Sequence, residues 1–171
     1  MKRCLILTGG KLSLAFAGSF LKEHKFEKVV AVDGGLEAAK ELDIIPDVIV
    51  GDFDTVHPEI LAYYRKMEHI VWEVHQPEKD DTDTELAIKR ALAMNCSHIT
   101  LLGATGGRLD HMVGNIHLLF PCLQKGTYRR LPEPSVSDRR GAYLPKGRDL
   151  GKVYLFPAPY RRSKGDHVKR L

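Results

Sequence analysis

The sequence predicts an α/β fold: a three-layer architecture around an open, mostly parallel sheet. Three observations carry that expectation. Short apolar runs rich in branched residues recur through residues 1–126, each run leads into a glycine-rich or acidic loop, and amphipathic stretches lie between them. Strands buried on both faces read as continuous apolar runs, and strands alternating with helices imply a parallel sheet flanked by helices.

The runs are Cys4 to Leu7 before Thr8-Gly9-Gly10, Val29 to Val32 before Asp33-Gly34-Gly35, and Val48 to Val50 before Gly51-Asp52. Ile70 to Val74 then leads into an acidic loop, and Ile99 to Leu102 into Gly103-Ala104-Thr105-Gly106-Gly107. Helices are predicted from about Leu36 to Leu42, Pro58 to Glu68, Asp83 to Asn95 and Leu109 to Gln124. The last has the clearest periodicity, with Leu109, Met112, Val113, Ile116, Leu119, Phe120 and Leu123 on one stripe.

A chain of 171 residues with 43% hydrophobic content fits one globular domain, or one domain with a short appendage. No run approaches the roughly 18 apolar residues of a membrane span, and Cys4 to Leu7 is too short for a signal-peptide core. Cys4, Cys96 and Cys122 form no CxxC, so they read as reduced, mostly buried residues of a cytoplasmic protein.

The net charge of +4 joins two unlike parts. Residues 1–126 carry 14 Lys/Arg against 18 Asp/Glu, while residues 127–171 carry 12 against 4 and hold 5 of the 9 prolines. The first part, 1–126, is read as the catalytic α/β domain and the second, 127–171, as a basic Pro/Arg-rich tail. Basic charge without aromatic stacking motifs argues against a nucleic-acid partner.

Ligands of open α/β sheets bind outside the carboxyl ends of the strands, where all the acidic loops of this chain fall. In Gly51-Asp52-Phe53-Asp54 an extended backbone puts both carboxylates on one side, a hard-oxygen arrangement suited to Mg²⁺. Lys79-Asp80-Asp81-Thr82-Asp83 supplies further carboxylates. Thr82-x-x-Glu85 is a helix capping box, which explains Thr82 and Glu85 but not Asp80 and Asp83, although Asp83 in the first turn gains from the helix dipole even without a metal. Asp33-Gly34 reads either as a plain turn or as part of the site. Gly106-Gly107-Arg108-Leu109-Asp110-His111 brings backbone N–H groups, a helix start and a forked donor together for an anion. His111 and Asn115, four apart, share a helix face.

The set Asp33-Gly34-Gly35, Gly51-Asp52-Phe53-Asp54-Thr55, Lys79 to Glu85 and Gly106 to His111 with Asn115 resembles the bacterial thiamine pyrophosphokinase (thiamine diphosphokinase) family. The resemblance covers residues 1–126. It implies transfer of diphosphate from ATP to the hydroxyl of thiamine, giving thiamine diphosphate and AMP, with Mg²⁺ as cofactor and a homodimer as assembly. It also implies that Asp52, Asp54 and Asp83 hold the metal, with Asp33, Arg108 and Asp110 beside the nucleotide or thiamine. On this reading Asp52, Asp54, Asp80 and Asp83 are catalytic, Asp54 and Asp80 being candidates to accept the hydroxyl proton. Asp33, Gly34, Lys79, Thr82, Arg108, Asp110, His111 and Asn115 bind nucleotide or substrate.

The resemblance ends near Gly126, where the family implies a C-terminal β-sandwich domain that supplies part of the thiamine pocket. Residues 127–171 show no alternating strand pattern and resemble a coding sequence read out of frame. They are read as a missing or altered, frameshifted remnant of that domain, expected to impair activity. Two alternatives stand beside this reading. Asp52-Phe53-Asp54-Thr55-Val56 fits the DxDx[TV] pattern of an aspartate-nucleophile phosphohydrolase, although two strand–helix units precede it. A non-catalytic nucleotide- or nucleic-acid-binding module is the other.

Overall fold

A computed structural model describes residues 2–75, 81–105 and 109–118, together with the backbone of 152–155. Its strands are β1 Arg3–Leu7, β2 Lys28–Val32, β3 Val48–Gly51, β4 Val71–Val74, β5 His98–Leu102 and β6 Lys152–Leu155. They form one six-stranded sheet in the order β4-β3-β2-β1-β5-β6, and each described pairing is parallel. The helices are α1 Leu14–Glu23, α2 Gly35–Glu41, α3 Pro58–Arg65, α4 Asp83–Ala93 and α5 Leu109–His117.

Side-chain alternation along the strands divides the core into two layers. Leu5, Leu7, Ala31 and Ile49 pack with Ala17 and Phe20 of α1, Leu36 and Ala39 of α2, and Tyr64 of α3. Cys4, Ile6, Val30, Val48, Val50, Ile99 and Leu101 pack on the other face with Ala87, Ile88 and Ala91 of α4. Fully burying a Leu, Ile or Val side chain stabilises the fold by about 1.5–3 kcal/mol, so these layers are its main support. The chain steps outward from β1 to β4, then returns across the sheet to β5 through α4. That reversal places the topological switch point between β1 and β5.

Within the described residues the predicted strands and helices all form, with ends shifted by a few residues. One helix was not foreseen: α1, whose LAFAGSFLKE sequence carries Gly18 in its interior and no acidic residue in its first turn. Its start is nonetheless marked by Ser13, whose Oγ accepts the N–H of Phe16 at 3.4 Å. Pro58 opens α3, where its missing N–H costs nothing.

Two further departures concern the second half. The stripe of α5 is present, but Leu109, Val113 and Ile116 are exposed rather than buried. Periodicity reveals an apolar side, not a neighbour that covers it. Positions 119–124 of the predicted helix lie outside the described residues. In the tail, where no strand pattern was read, Lys152–Leu155 pairs with β5 from His98↔Lys152 to Leu101↔Leu155. A four-residue run at a sheet edge is too short to show a pattern of its own. The remainder of 127–171 lies outside the described residues, as does Cys122. Cys4 and Cys96 are both buried, and burial pushes the Cys4 thiol well up.

Candidate functional site

Asp33 occupies the joint between β2 and α2. Its N–H donates to Val50 O at 3.1 Å and its carbonyl accepts from Leu36 N at 2.9 Å, which forces a left-handed φ of 42°. Aspartate tolerates that region better than most residues. Oδ1 of Asp33 in turn accepts the N–H of Phe53 at 3.3 Å, tying the loop after β3 to the end of β2.

Gly51 makes this tie possible. Its φ is +148°, and a Cβ there would lie 1.7 Å from Asp33 Oδ1. Phe53 is also left-handed, at φ 63°, and its ring is buried edge-on to Trp72 with centroids 5.3 Å apart. Such a backbone costs about 1–3 kcal/mol. Burying the ring, worth about 1.5–3 kcal/mol, together with the aromatic contact offsets it. The segment 52–54 is therefore a turn and not the extended piece expected from the sequence. Within it Asp52 Oδ1 accepts the N–H of Asp54 at 3.2 Å, leaving Asp54 exposed at the tip.

The third acidic element arrives on α4. Thr82 caps this helix, its hydroxyl accepting the N–H of Glu85 at 3.2 Å as the capping box requires. Asp83 follows in the first turn, where the helix dipole favours its charge. It reaches Asp33. Burial, then the charge of Asp83, raises the Asp33 carboxyl to about 6, with Asp52 and a hydrogen bond to Asp83 adding to the rise.

That shift has a testable sign. Asp33 holds its proton more tightly in the folded chain than unfolded, so its contribution to stability falls as pH rises from 3.8 to about 6. Asp33→Asn, which keeps an acceptor for Phe53 N–H, should raise the melting temperature of the metal-free protein more at about pH 7 than at about pH 4. An equal change at both would show that Asp33 ionises normally.

The other predicted residues separate into distinct groups. Lys79, Asp80, Gly106, Gly107 and Arg108 lie outside the described residues. Asp81 is paired with Lys89 at 2.9 Å. Asp110 and His111 are exposed in the first turn of α5. The Asn115 amide donates to Ala104 O at 2.8 Å, fastening α5 to the loop after β5.

Gly34 belongs to a close backbone contact that sequence reading had not assembled. A Cβ on Gly34 would lie 3.3 Å from Gly9 Cα, and one on Gly10 only 2.0 Å from Gly103 O. Gly103 itself is left-handed at φ +76°, its would-be Cβ 2.4 Å from Thr8 O. Glycines thus line the carboxyl ends of β2, β1 and β5, joining the acidic turn to the switch point. The Thr8-Gly9-Gly10 sequence after the first apolar run was the available signal.

The residues suit a hard cation. Among the described residues no three His, Cys, Asp or Glu side chains are already set around a metal. Magnesium needs no complete protein cage: held by carboxylates that leave positions open, it retains waters and completes its shell with substrate phosphates. Asp52 and Asp83, close enough for their charges to raise the proton affinity of Asp33, provide the donor chemistry at a strand end.

Residues 21–129 match the family described as thiamin pyrophosphokinase, catalytic domain. The chain belongs to that family. It is 36% identical over 121 residues to thiamine pyrophosphokinase of Bacillus subtilis (strain 168), covering 70% of this chain and 55% of that protein. Thiamine pyrophosphokinase 3 of Oryza sativa subsp. japonica is 42% identical over 81 residues, which cover 43% of this chain and 30% of the relative. Among solved structures, thiamine pyrophosphokinase from Bacillus subtilis superposes with a TM-score of 0.60 at 32% identity, covering 72% of this chain and 56% of that one. The enzyme from Geobacillus thermodenitrificans gives 0.59 at 30% identity, covering 71% and 56%. The chain therefore spans little more than half of the Bacillus relative's length. Membership of the thiamin pyrophosphokinase catalytic family disfavours the aspartate-nucleophile alternative, as does the position of Asp52 after the third strand.

Proposed function

We propose that this chain carries thiamine diphosphokinase chemistry: transfer of diphosphate from ATP to the hydroxyl of thiamine, releasing AMP. The observation that carries the proposal is the convergence of Asp33, Asp52 and Asp83 at the carboxyl ends of β2 and β3, in a chain matched to the family's catalytic domain. Asp52, Asp54 and Asp83 would hold Mg²⁺. When bound, the metal neutralises phosphate oxygens and orients them for in-line displacement.

The protein's own groups do the remainder. Asp33 keeps the turn closed, since its Oδ1 is committed to Phe53 N–H. Asp54, exposed at the tip, is the carboxylate we assign to take the hydroxyl proton, with Asp80 the other candidate. The hydroxyl oxygen bonds to the β-phosphorus while the bridge to the α-phosphate breaks, and AMP departs. Arg108 and Lys79 balance the charge on that leaving group. Thr82 and Asn115 support the site through the helix start and the β5 loop. Gly34 allows close approach, and Asp110 and His111 face the substrates.

The same reading assigns the protein to the cytoplasm as a homodimer; Lys152–Leu155 belongs to the α/β sheet as β6, and the rest of residues 127–171 is read as an altered second domain that weakens thiamine binding. No helix among the described residues is long and apolar enough to cross a membrane.

Calorimetric titration with Mg²⁺–ATP tests the site. Asp52→Asn, Asp54→Asn and Asp83→Asn should each weaken binding about tenfold or more, and unchanged curves for all three would refute the assignment. Arg108→Lys should also lose affinity, because an ammonium lacks the paired planar donors of a guanidinium. Wild-type affinity after that change would make Arg108 a surface charge.

A further inference from the structure

Phe53 is an unusual occupant of its position. A bulky aromatic rarely adopts φ 63°, and chemistry at Asp52 and Asp54 does not itself call for a ring between them. Phe53 is only 8% exposed, and its ring meets Trp72 at an interplanar angle of 80°. Trp72 stands opposite Ile49 in the β3–β4 register, beside the strand that leads into the turn. The Arg65 guanidinium lies over the Trp72 ring, 5.7 Å from its centroid. A continuous set of contacts thus runs from α3 through β4 to Phe53, and from the Phe53 N–H to Asp33 at the end of β2.

We propose that Phe53 is a positioning residue, whose left-handed backbone, clamped between the Trp72 ring and the Asp33 carboxylate, sets the direction in which Asp52 and Asp54 are presented. The two peptide planes that flank Phe53 carry those aspartates. If residue 53 relaxed to negative φ, both planes would rotate and the pair would part. Ring burial keeps the strained turn populated, so the hydrophobic core fixes the geometry of the acidic site. This inference rests on the reading of the turn as a Mg²⁺–ATP site.

Alanine and glycine at position 53 separate positioning from packing. Both remove the ring, but only glycine adopts positive φ without penalty. The full chain is titrated calorimetrically with Mg²⁺–ATP, and circular dichroism verifies folding. Phe53→Ala should weaken binding about tenfold or more, and Phe53→Gly should bind at least about threefold more tightly than Phe53→Ala. A packing role gives the opposite order, because alanine fills more of the space. Trp72→Leu should weaken Mg²⁺–ATP as Phe53→Ala does, whereas Trp72→Phe, which retains an aromatic edge contact, should stay within about threefold of wild type. The Trp72 pair carries the test if Phe53→Ala does not fold. Equal affinities for alanine and glycine, or alanine the tighter, would overturn the inference. So would Trp72→Leu at wild-type affinity. If wild type binds and Asp52→Asn weakens it while the Phe53 and Trp72 variants do not, only the positioning role fails. A wild type that does not bind Mg²⁺–ATP removes the functional reading and this inference with it.

Discussion

Gly51→Ala should all but abolish Mg²⁺–ATP binding while leaving the rest of the sheet folded. Two effects combine at this position. The φ of +148° is one that L side chains rarely adopt, and the new Cβ would lie 1.7 Å from Asp33 Oδ1. Because Asp33 Oδ1 is the acceptor for Phe53 N–H, moving it releases the acidic turn. Backbone strain of about 1–3 kcal/mol alone corresponds to roughly 5- to 150-fold in an equilibrium constant, and displacement of the carboxylate adds to it. We expect a loss of about 100-fold in affinity, with far-ultraviolet circular dichroism unchanged. Binding within about threefold of wild type would show that the Asp33–Gly51 contact does not control the site.

Gly35→Ala should act on stability instead. Gly35 is the first residue of α2, and its added Cβ would meet Leu7 O at 2.2 Å, Leu7 C at 2.6 Å and Thr8 N at 3.0 Å. All three are backbone atoms of the central strand or its end, which cannot turn aside as a flexible side chain does. Overpacking of this kind costs about 1–3 kcal/mol, which lowers the melting temperature by about 2–12 °C in a chain of this size. Gly18→Ala provides the contrast. Gly18 lies within α1 with nothing within 4 Å of its would-be Cβ, so alanine there should stabilise by up to about 1 kcal/mol. Equal thermal shifts for the two substitutions would contradict the packing described at the β1–α2 junction.

The sequence disclosed the sheet because its strands are buried on both faces, and a doubly buried strand has to be written in Val, Ile and Leu. It disclosed Asp33, Asp52 and Asp83 as neighbours because strand ends of a parallel sheet share one edge. The turn at Phe53 was hidden. Gly-Asp-Phe-Asp is compatible with an extended segment, and only the tertiary contacts of the ring and of Asp33 favour the left-handed alternative. The close approach of Gly9, Gly10, Gly34 and Gly103 was hidden for a related reason: each glycine reads locally as a turn, and their contact depends on strand order. For α1, Gly18 diluted the helix signal although Ser13 marked its start. The exposed stripe of α5 shows the limit from the other side, since periodicity carries orientation but not the identity of a neighbour.

Diphosphate transfer and phosphate hydrolysis at this acidic strand end leave different products. The most direct measurement is ³¹P nuclear magnetic resonance of the full chain with ATP, Mg²⁺ and thiamine. Diphosphate transfer should give slow, thiamine-dependent formation of AMP and thiamine diphosphate in equal amounts. Formation of ADP or inorganic phosphate in their place, or no thiamine-dependent AMP, would contradict it.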